Sequence, residues 1–468
     1  MALLIFAGTL GFMWLMYMWE TYLSYRQHKV YVETKQIPIE LVDSLDKATF
    51  EKSRLYQVDK SKFGFWSSLY GQIESTLILV YGGIPFLWAF SETAIESLGF
   101  DRSHEIKQSI MFVVLTTLFS TVTSLPWSLY STFVLEEKHG FNKQTLAFFF
   151  KDMVKKLVVS MVIALPVTSA LIGIIKWGGE YFFIYAWVFS LLVSLFFIMI
   201  YHDYIAPIFD RFISLPDGEL RTAIENLAAR IDFPLSKINV VEGSKRSSHS
   251  NAYFFGFYKS KVIVLFDTLL TKSPFAEESK EESSEVVEDP KEEVVEEVVP
   301  EEEVADTQSK KDVKGCTNEE ILAILGHELG HWKCNHIMIN LLISQINLLF
   351  SFFVFGLLVN NTILYESFGF TGGDQPTLIG LVIVFQFIFS PYNEFVGFLM
   401  TLLSRRFEFQ ADEFGKNLGY AVQLQSALAK LHKENLGFPV CDKLYSAYHY
   451  SHPPLLERLR ALKDKKDE

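Results

Sequence analysis

Apolar residues along the chain gather into seven long runs separated by polar and charged stretches. They are Ala2–Trp19, Ser75–Phe90, Ile110–Tyr130, Val158–Ile175, Tyr181–Tyr201, Ile339–Val359 and Leu378–Leu403. Most reach or approach the ~20 residues that a helix needs to cross a bilayer. The second and fourth are short and contain Pro85 and Pro166, a pattern shared by kinked spans and buried re-entrant helices, and both are counted as spans. The first has no basic leader and no small-residue cleavage site, so a retained anchor is expected rather than a cleaved signal.

Between the fifth and sixth runs the pattern changes. Leu220–Arg230 has helical periodicity, while Lys237–Glu242, Asn251–Tyr258 and Lys261–Phe266 are short β-branched and aromatic stretches, which together predict a small sheet. Glu277–Asp306 follows, rich in Glu, Val, Ser and Pro, with too few large apolar residues to build a core. It is expected to be a disordered, solvated loop, with a docking surface for a basic partner as the alternative. No repeat of solenoid period occurs.

Composition agrees with the runs. Of 468 residues, 50% are hydrophobic and 15% aromatic, and the mean hydropathy of +0.21 is that of a multi-span membrane protein. The acidic loop holds fifteen Asp or Glu against two Lys and so accounts for the whole net charge of −13. No basic domain is left to neutralise phosphates, which argues against nucleic-acid binding. Three cysteines, Cys316, Cys334 and Cys441, have no paired spacing and fit reduced thiols facing the cytosol.

Loop charge gives an orientation. Arg26, Lys29, Lys35, Lys47, Lys52, Arg54, Lys60 and Lys62 follow the first run, and Lys138, Lys143, Lys151, Lys155 and Lys156 follow the third. Both connections should be cytosolic, and the alternate ones, poor in Lys and Arg, lumenal. Seven spans then leave a lumenal N-terminus, with Asp203–Met338 and the tail from Ser404 in the cytosol. The chain divides into five spans with their loops (1–202), a cytosolic helix and sheet (203–276), the acidic loop (277–312), a histidine-bearing helix (313–338), two spans (339–403) and a cytosolic C-terminal unit (404–468). Lys465-Lys466 near the end resembles a dilysine retrieval signal of the endoplasmic reticulum, and the sequon Asn360-Asn361-Thr362 falls in an expected lumenal loop.

Candidate chemistry lies in the histidine-bearing helix. His327 and His331 are four apart, so both imidazoles leave one helical face and can bind one ion, with Glu328 beside them. Such a string arises by chance in roughly one chain of this length in fifty. The pentapeptide alone therefore leaves open two histidines that merely pack. A catalytic zinc also needs a third protein ligand and an open position. Ser404-Arg-Arg-Phe-Glu408-Phe-Gln-Ala-Asp412 offers Glu408 as that ligand, with Asp412 one turn on to accept the free N–H of a ligand histidine, most naturally His327.

Four segments, Gly326-His-Glu-Leu-Gly-His331-Trp, Phe407-Glu-Phe-Gln-Ala-Asp412, Asn251-Ala-Tyr-Phe-Phe-Gly256 and Ser451-His452-Pro-Pro-Leu-Leu-Glu-Arg458, closely resemble the integral-membrane CaaX prenyl proteases. These are gluzincins that include the yeast a-factor converting enzyme, and the resemblance is nearest to the animal members that process prelamin A. It covers nearly the whole chain apart from the acidic loop. It implies an α-helical polytopic fold of seven spans forming a barrel around a water-filled chamber, with a small α+β protease domain at its cytosolic end. One Zn2+ per chain is implied, with farnesylated or geranylgeranylated CaaX proteins as substrates and the endoplasmic reticulum and inner nuclear membranes as location. The last three residues would be removed, with a second upstream cut in some substrates; a monomer is expected.

On that reading Glu328 takes the proton of the attacking water. The family pattern places His452 and Asn251 as further donors to the oxyanion; a turn cap and a strand end are their plain alternatives. Arg458 is expected to be structural, as an ion-pair partner in the C-terminal unit. The strand at Asn251–Phe255 would offer an edge for an extended substrate. Asn340, Gln345, Asn347, Gln386, Asn393 and Glu394, in the last two spans, must face protein or water. Two alternatives remain open at this point: a quality-control metallopeptidase acting on unprenylated membrane proteins, and a zinc-stabilised membrane scaffold.

Overall fold

The computed structural model describes residues 1–99, 105–256, 260–275 and 315–463. The acidic loop, the Lys465-Lys466 pair and the end of the expected strand at Tyr258 lie outside the described residues. The chain opens with α1 (Ala2–Glu33), α2 (Lys47–Val80), α3 (Gly83–Ser97), α4 (Glu105–Tyr130), α5 (Leu146–Trp177) and α6 (Phe182–Ile200). Short α7 (Ala206–Phe209) leads to β1 (Phe212–Ser214), α8 (Glu219–Arg230), β2 (Leu235–Val241), β3 (Ala252–Phe255) and β4 (Lys261–Phe266). Next come α9 (Asn318–Lys333), α10 (His336–Leu358), α11 (Thr362–Ser367), α12 (Thr377–Val382) and α13 (Ser390–Gly415). The chain finishes with α14 (Ala421–Glu434), α15 (Lys443–His449) and α16 (Leu455–Leu462).

This is a helical polytopic membrane protein with five to seven candidate spans and a small α/β unit. Among the described residues, α1, α4, α5, α6 and α10 are each long and apolar enough to cross a membrane. Two further runs fall on bent helix pairs, which bring the number to seven if each pair is one span. Ser75–Phe90 straddles a 68° bend between α2 and α3, and Leu378–Leu403 a 58° bend between the stretch Thr377–Ile388 and α13. The first bend has a local cause: Gly82 has φ +66°, a left-handed conformation that a right-handed helix does not continue through. At the second, Pro391 has no N–H for the preceding turn but fits the first turn of α13. Pro166 lies inside α5 without breaking it, and the whole helix is 32 residues long.

Four strands form one sheet in the order β1-β2-β4-β3. β2 and β4 are parallel, and β1 and β3 pair antiparallel on the outside. β1 escaped the sequence pattern because three residues are too few to display an alternation. β4 divides by parity: Ile263 and Leu265 join the main core, while Val262 and Val264 join the cluster on the other face. The main core packs Ile224 and Leu227 of α8 and Leu325 and Leu329 of α9 against the first of these faces. β3 is an outer strand, and it packs beside α9.

Candidate metal centre

α9 begins at a built cap. The Thr317 hydroxyl accepts from the Glu320 N–H, and the Glu320 carboxylate accepts from the Thr317 N–H, a capping box that fixes where the helix starts. Ten residues on, His327 and His331 project one turn apart. α13 crosses α9 at close range because glycines face it. A Cβ on Gly330 would stand 3.0 Å from the Ala411 Cα and 3.1 Å from its carbonyl oxygen, and Gly326 faces Gly415. That approach delivers Glu408. Its Oε1 lies 3.3 Å from His331 Nε2 and its Oε2 3.5 Å from His327 Nε2, and the two Nε2 atoms are 3.3 Å apart.

A second ring of groups holds the first. Asp412 Oδ1 sits 2.8 Å from His327 Nδ1, on the ring nitrogen remote from Glu408. Arg458 donates to both oxygens of Asp412, through Nε at 2.8 Å and Nη2 at 2.7 Å, and its Nη1 is 3.7 Å from Glu408 Oε2. His331 Nδ1 meets His336 Nδ1 at 3.0 Å, and His336 Nε2 meets Gln410 Oε1 at 3.0 Å. His452 approaches from the C-terminal side, with Nε2 3.3 Å from Glu408 Oε1 and Nδ1 3.1 Å from the Ser451 hydroxyl.

The donors suit a divalent cation. One nitrogen from each imidazole and one carboxylate oxygen lie within 4.8 Å of one another, and Glu408 Oε2, fully buried, has no hydrogen-bond partner. Two buried carboxylates, Glu408 and Asp412, share one buried guanidinium, Arg458, and Glu328 is near enough to interact with it electrostatically. Burial opposes a charged His327, yet Asp412 and Glu408 raise its pKa to about 9. Burial also pushes the Glu328 carboxyl up from its usual range.

Residues 27–211 match the family described as CAAX prenyl protease N-terminal, five membrane helices, and residues 214–466 match peptidase family M48. The CAAX prenyl protease 1 homolog of Homo sapiens is 58% identical over 463 residues, covering 99% of this chain and 96% of that protein. CAAX prenyl protease 1 of Saccharomyces cerevisiae is 36% identical over 469 residues, covering 97% and 94%. The crystal structure of S. mikatae Ste24p superposes with a TM-score of 0.82 at 36% identity, covering 99% of each chain. The chain belongs to the CAAX prenyl protease family of M48 peptidases. It is a metalloprotease.

The protease thus gathers His327, His331, Glu328, Glu408, Asp412, Arg458 and His452 into one cluster. Asn251 makes none of these contacts: it is exposed at the head of β3, and its side-chain oxygen accepts from the Ala252 N–H. Its neighbours are pinned, with Asn435 Oδ1 3.2 Å from the Ser250 N–H and 3.1 Å from His249 Nδ1. Sequence reasoning missed His336 and Gln410, because a histidine five residues beyond His331 and a glutamine two beyond Glu408 have no ligand spacing. Their one legible signal is parity of place, since Gln410 and Phe407 are three apart on one helix face.

A cavity of about 350 Å³ opens beside His452, lined in part by Tyr31, Gln57, Phe438 and Tyr450. Tyr31 and Gln57 also line a second cavity of about 660 Å³ between α1 and α2, which reaches Glu20, Ser24 and Tyr445. The segment carrying His452 is fastened to the membrane helices. Asp442 accepts from Arg26 Nε at 3.1 Å and Nη2 at 2.9 Å, and Tyr448 donates to Glu394 at 3.0 Å. Glu394 therefore has a protein partner inside its span. Asn347 has one too, accepting from Tyr392 at 2.7 Å.

Proposed function

We propose that this protease is a zinc endopeptidase that cleaves prenylated CaaX C-termini. The observation that carries the reading is the convergence of His327, His331 and Glu408 on one point, with Glu328 next to His327 in the chain and a buried Glu408 oxygen that has no hydrogen-bond partner. Two imidazoles and a carboxylate are the donor set of open, catalytic zinc sites. Bound there, zinc would polarise the scissile carbonyl and ease the deprotonation of a water.

The chain's own residues do the rest. Glu328, raised in basicity by burial, takes the proton of the attacking water and later delivers it to the leaving amine. Asp412 holds His327 with Nδ1 protonated, so that Nε2 keeps its lone pair for the metal. Arg458 holds Asp412. His452, at the open side of the cluster, donates to the developing oxyanion, and Asn251 assists from the substrate side. β3 lends its outer edge to an extended substrate, which would bring the scissile bond along α9.

The family name shared with relatives that match nearly end to end supports this substrate class. Farnesylated or geranylgeranylated chains would lose the three residues after the modified cysteine, and some would be cut again upstream. Seven spans arise if each bent pair crosses once. They would surround a chamber to which the two cavities that share Tyr31 and Gln57 belong, in the endoplasmic reticulum and inner nuclear membranes, with the N-terminus lumenal and the centre cytosolic. Purified protein and matched prenylated and unprenylated C-terminal peptides, with products read by mass, test the reading. Release of a tripeptide from the prenylated peptide alone supports it; equal cleavage of both overturns the prenyl assignment.

A further inference from the structure

Each ring nitrogen of the two ligand histidines that points away from the centre has a partner, but the two partners differ in kind. His327 Nδ1 meets a carboxylate, Asp412, which accepts and never donates when ionised. His331 Nδ1 meets another imidazole, His336, whose nitrogen can do either. Something must therefore decide the direction of that hydrogen bond. We propose that His336 and Gln410 form a relay that locks His331 in the tautomer able to bind metal through Nε2. The inference rests on the zinc reading given above.

The relay can be followed proton by proton. Gln410 Oε1 is an acceptor, so His336 Nε2, 3.0 Å away, carries a hydrogen. A neutral His336 then has a lone pair on Nδ1. That lone pair accepts from His331 Nδ1 at 3.0 Å, and His331 Nε2 is left bare, facing Glu408 and His327. Turning the Gln410 amide over would reverse every step and put a hydrogen on His331 Nε2, where a metal must bind. Only one amide orientation is compatible with ligation.

The fold holds His336 for this task. The residue is 2% exposed, and its ring stacks on Phe407 with centroids 4.0 Å apart and planes 10° apart. Phe407 and Gln410 both belong to α13, the helix that supplies Glu408, so the third ligand and the relay move as one body. At the other end, Asn335 adopts φ +58° between α9 and α10. This left-handed residue ends one helix, starts the next, and turns His336 back against His331. His336 and Gln410 touch no substrate in this account. They are positioning residues acting through His331.

Zinc release separates this role from general packing. In full-length purified protein, the rate at which zinc passes to an excess of chelator is measured for the parent, His336→Leu, His336→Asn and Gln410→Leu, with melting of the metal-free forms as a fold control. His336→Leu removes the acceptor and should speed release by ~10–100-fold. His336→Asn places an amide oxygen where Nδ1 stands and should recover most of the difference. Gln410→Leu should fall between. Release from His336→Leu within about two-fold of the parent, or no slower from Asn than from Leu, would overturn the relay. If His336→Leu does not fold, Gln410→Glu, which keeps an acceptor, must hold zinc longer than Gln410→Leu; equality overturns the relay equally. Glu408→Ala in the same assay must lose stoichiometric zinc. Retention there would overturn the assignment of the centre itself, and the relay with it.

Discussion

Arg458 grips Asp412 at two points, Nε to Oδ2 at 2.8 Å and Nη2 to Oδ1 at 2.7 Å, and both side chains are buried. The pair stands directly behind His327, because the same Asp412 oxygen that meets Arg458 Nη2 meets His327 Nδ1. A buried ion pair and the orientation of the proposed metal ligand His327 are thus one arrangement.

Arg458→Met should therefore destabilise the fold by about 3–5 kcal/mol, since it leaves Asp412 buried without its cation. Arg458→Lys offers a single point charge in place of a planar fork and should rescue little. Melting temperatures and zinc content of the two variants check this. A lysine variant as stable and as fully loaded as the parent would contradict it.

A second prediction concerns the segment that carries His452. Burial works against ionised Asp442, but Arg26 and the Tyr445 N–H outweigh it and hold the carboxyl below its usual range. A lowered folded value means that the stability is complete above the unfolded aspartate value of ~3.9 and is lost as pH falls through the folded one. The melting-temperature difference between parent and Asp442→Ala should stay constant from pH 8 to about 5 and close only below about 4. A difference that shrinks between pH 7 and 5 would show that the contact with α1 is not held by this carboxylate.

The acidic segment gives a third. Its flanks are already joined, since the Cys316 N–H donates to the Leu269 carbonyl at 2.8 Å and Leu270 bridges to Cys316. Replacing Glu277–Asp306 with a short Gly/Ser linker should leave peptidase activity within a few-fold and zinc content unchanged. Loss of folding or of zinc would assign the segment a structural role.

The sequence displayed the clustering of the site's side chains better than it displayed the membrane helices. His327, Glu328 and His331 were legible because a helix of known period dictates which side chains share a face, and Glu408 with Asp412 repeats that spacing. Arg458 was legible as an ion-pair partner, yet its proximity to the centre was not, because forty-six residues of chain separate it from Asp412. His336 was invisible for a similar reason: Asn335 redirects the chain, and no period survives a left-handed residue. Apolar length located the spans but not their bends. Gly82 and Pro391 act through backbone geometry that a hydropathy window averages away.

The central claim is that Glu328 is a base and not a ligand, whereas Glu408 is a ligand. Glu328→Gln keeps shape and metal while removing the proton acceptor, so zinc should stay near one per chain and cleavage of a prenylated peptide should fall by at least ~10²-fold. Glu408→Ala should lose zinc and activity together, and Asp412→Asn should weaken either by ~10–100-fold. The decisive measurement is zinc stoichiometry and peptide cleavage on the same preparation of Glu328→Gln. Full zinc with cleavage abolished is the expected result, and full zinc with undiminished cleavage would contradict the account.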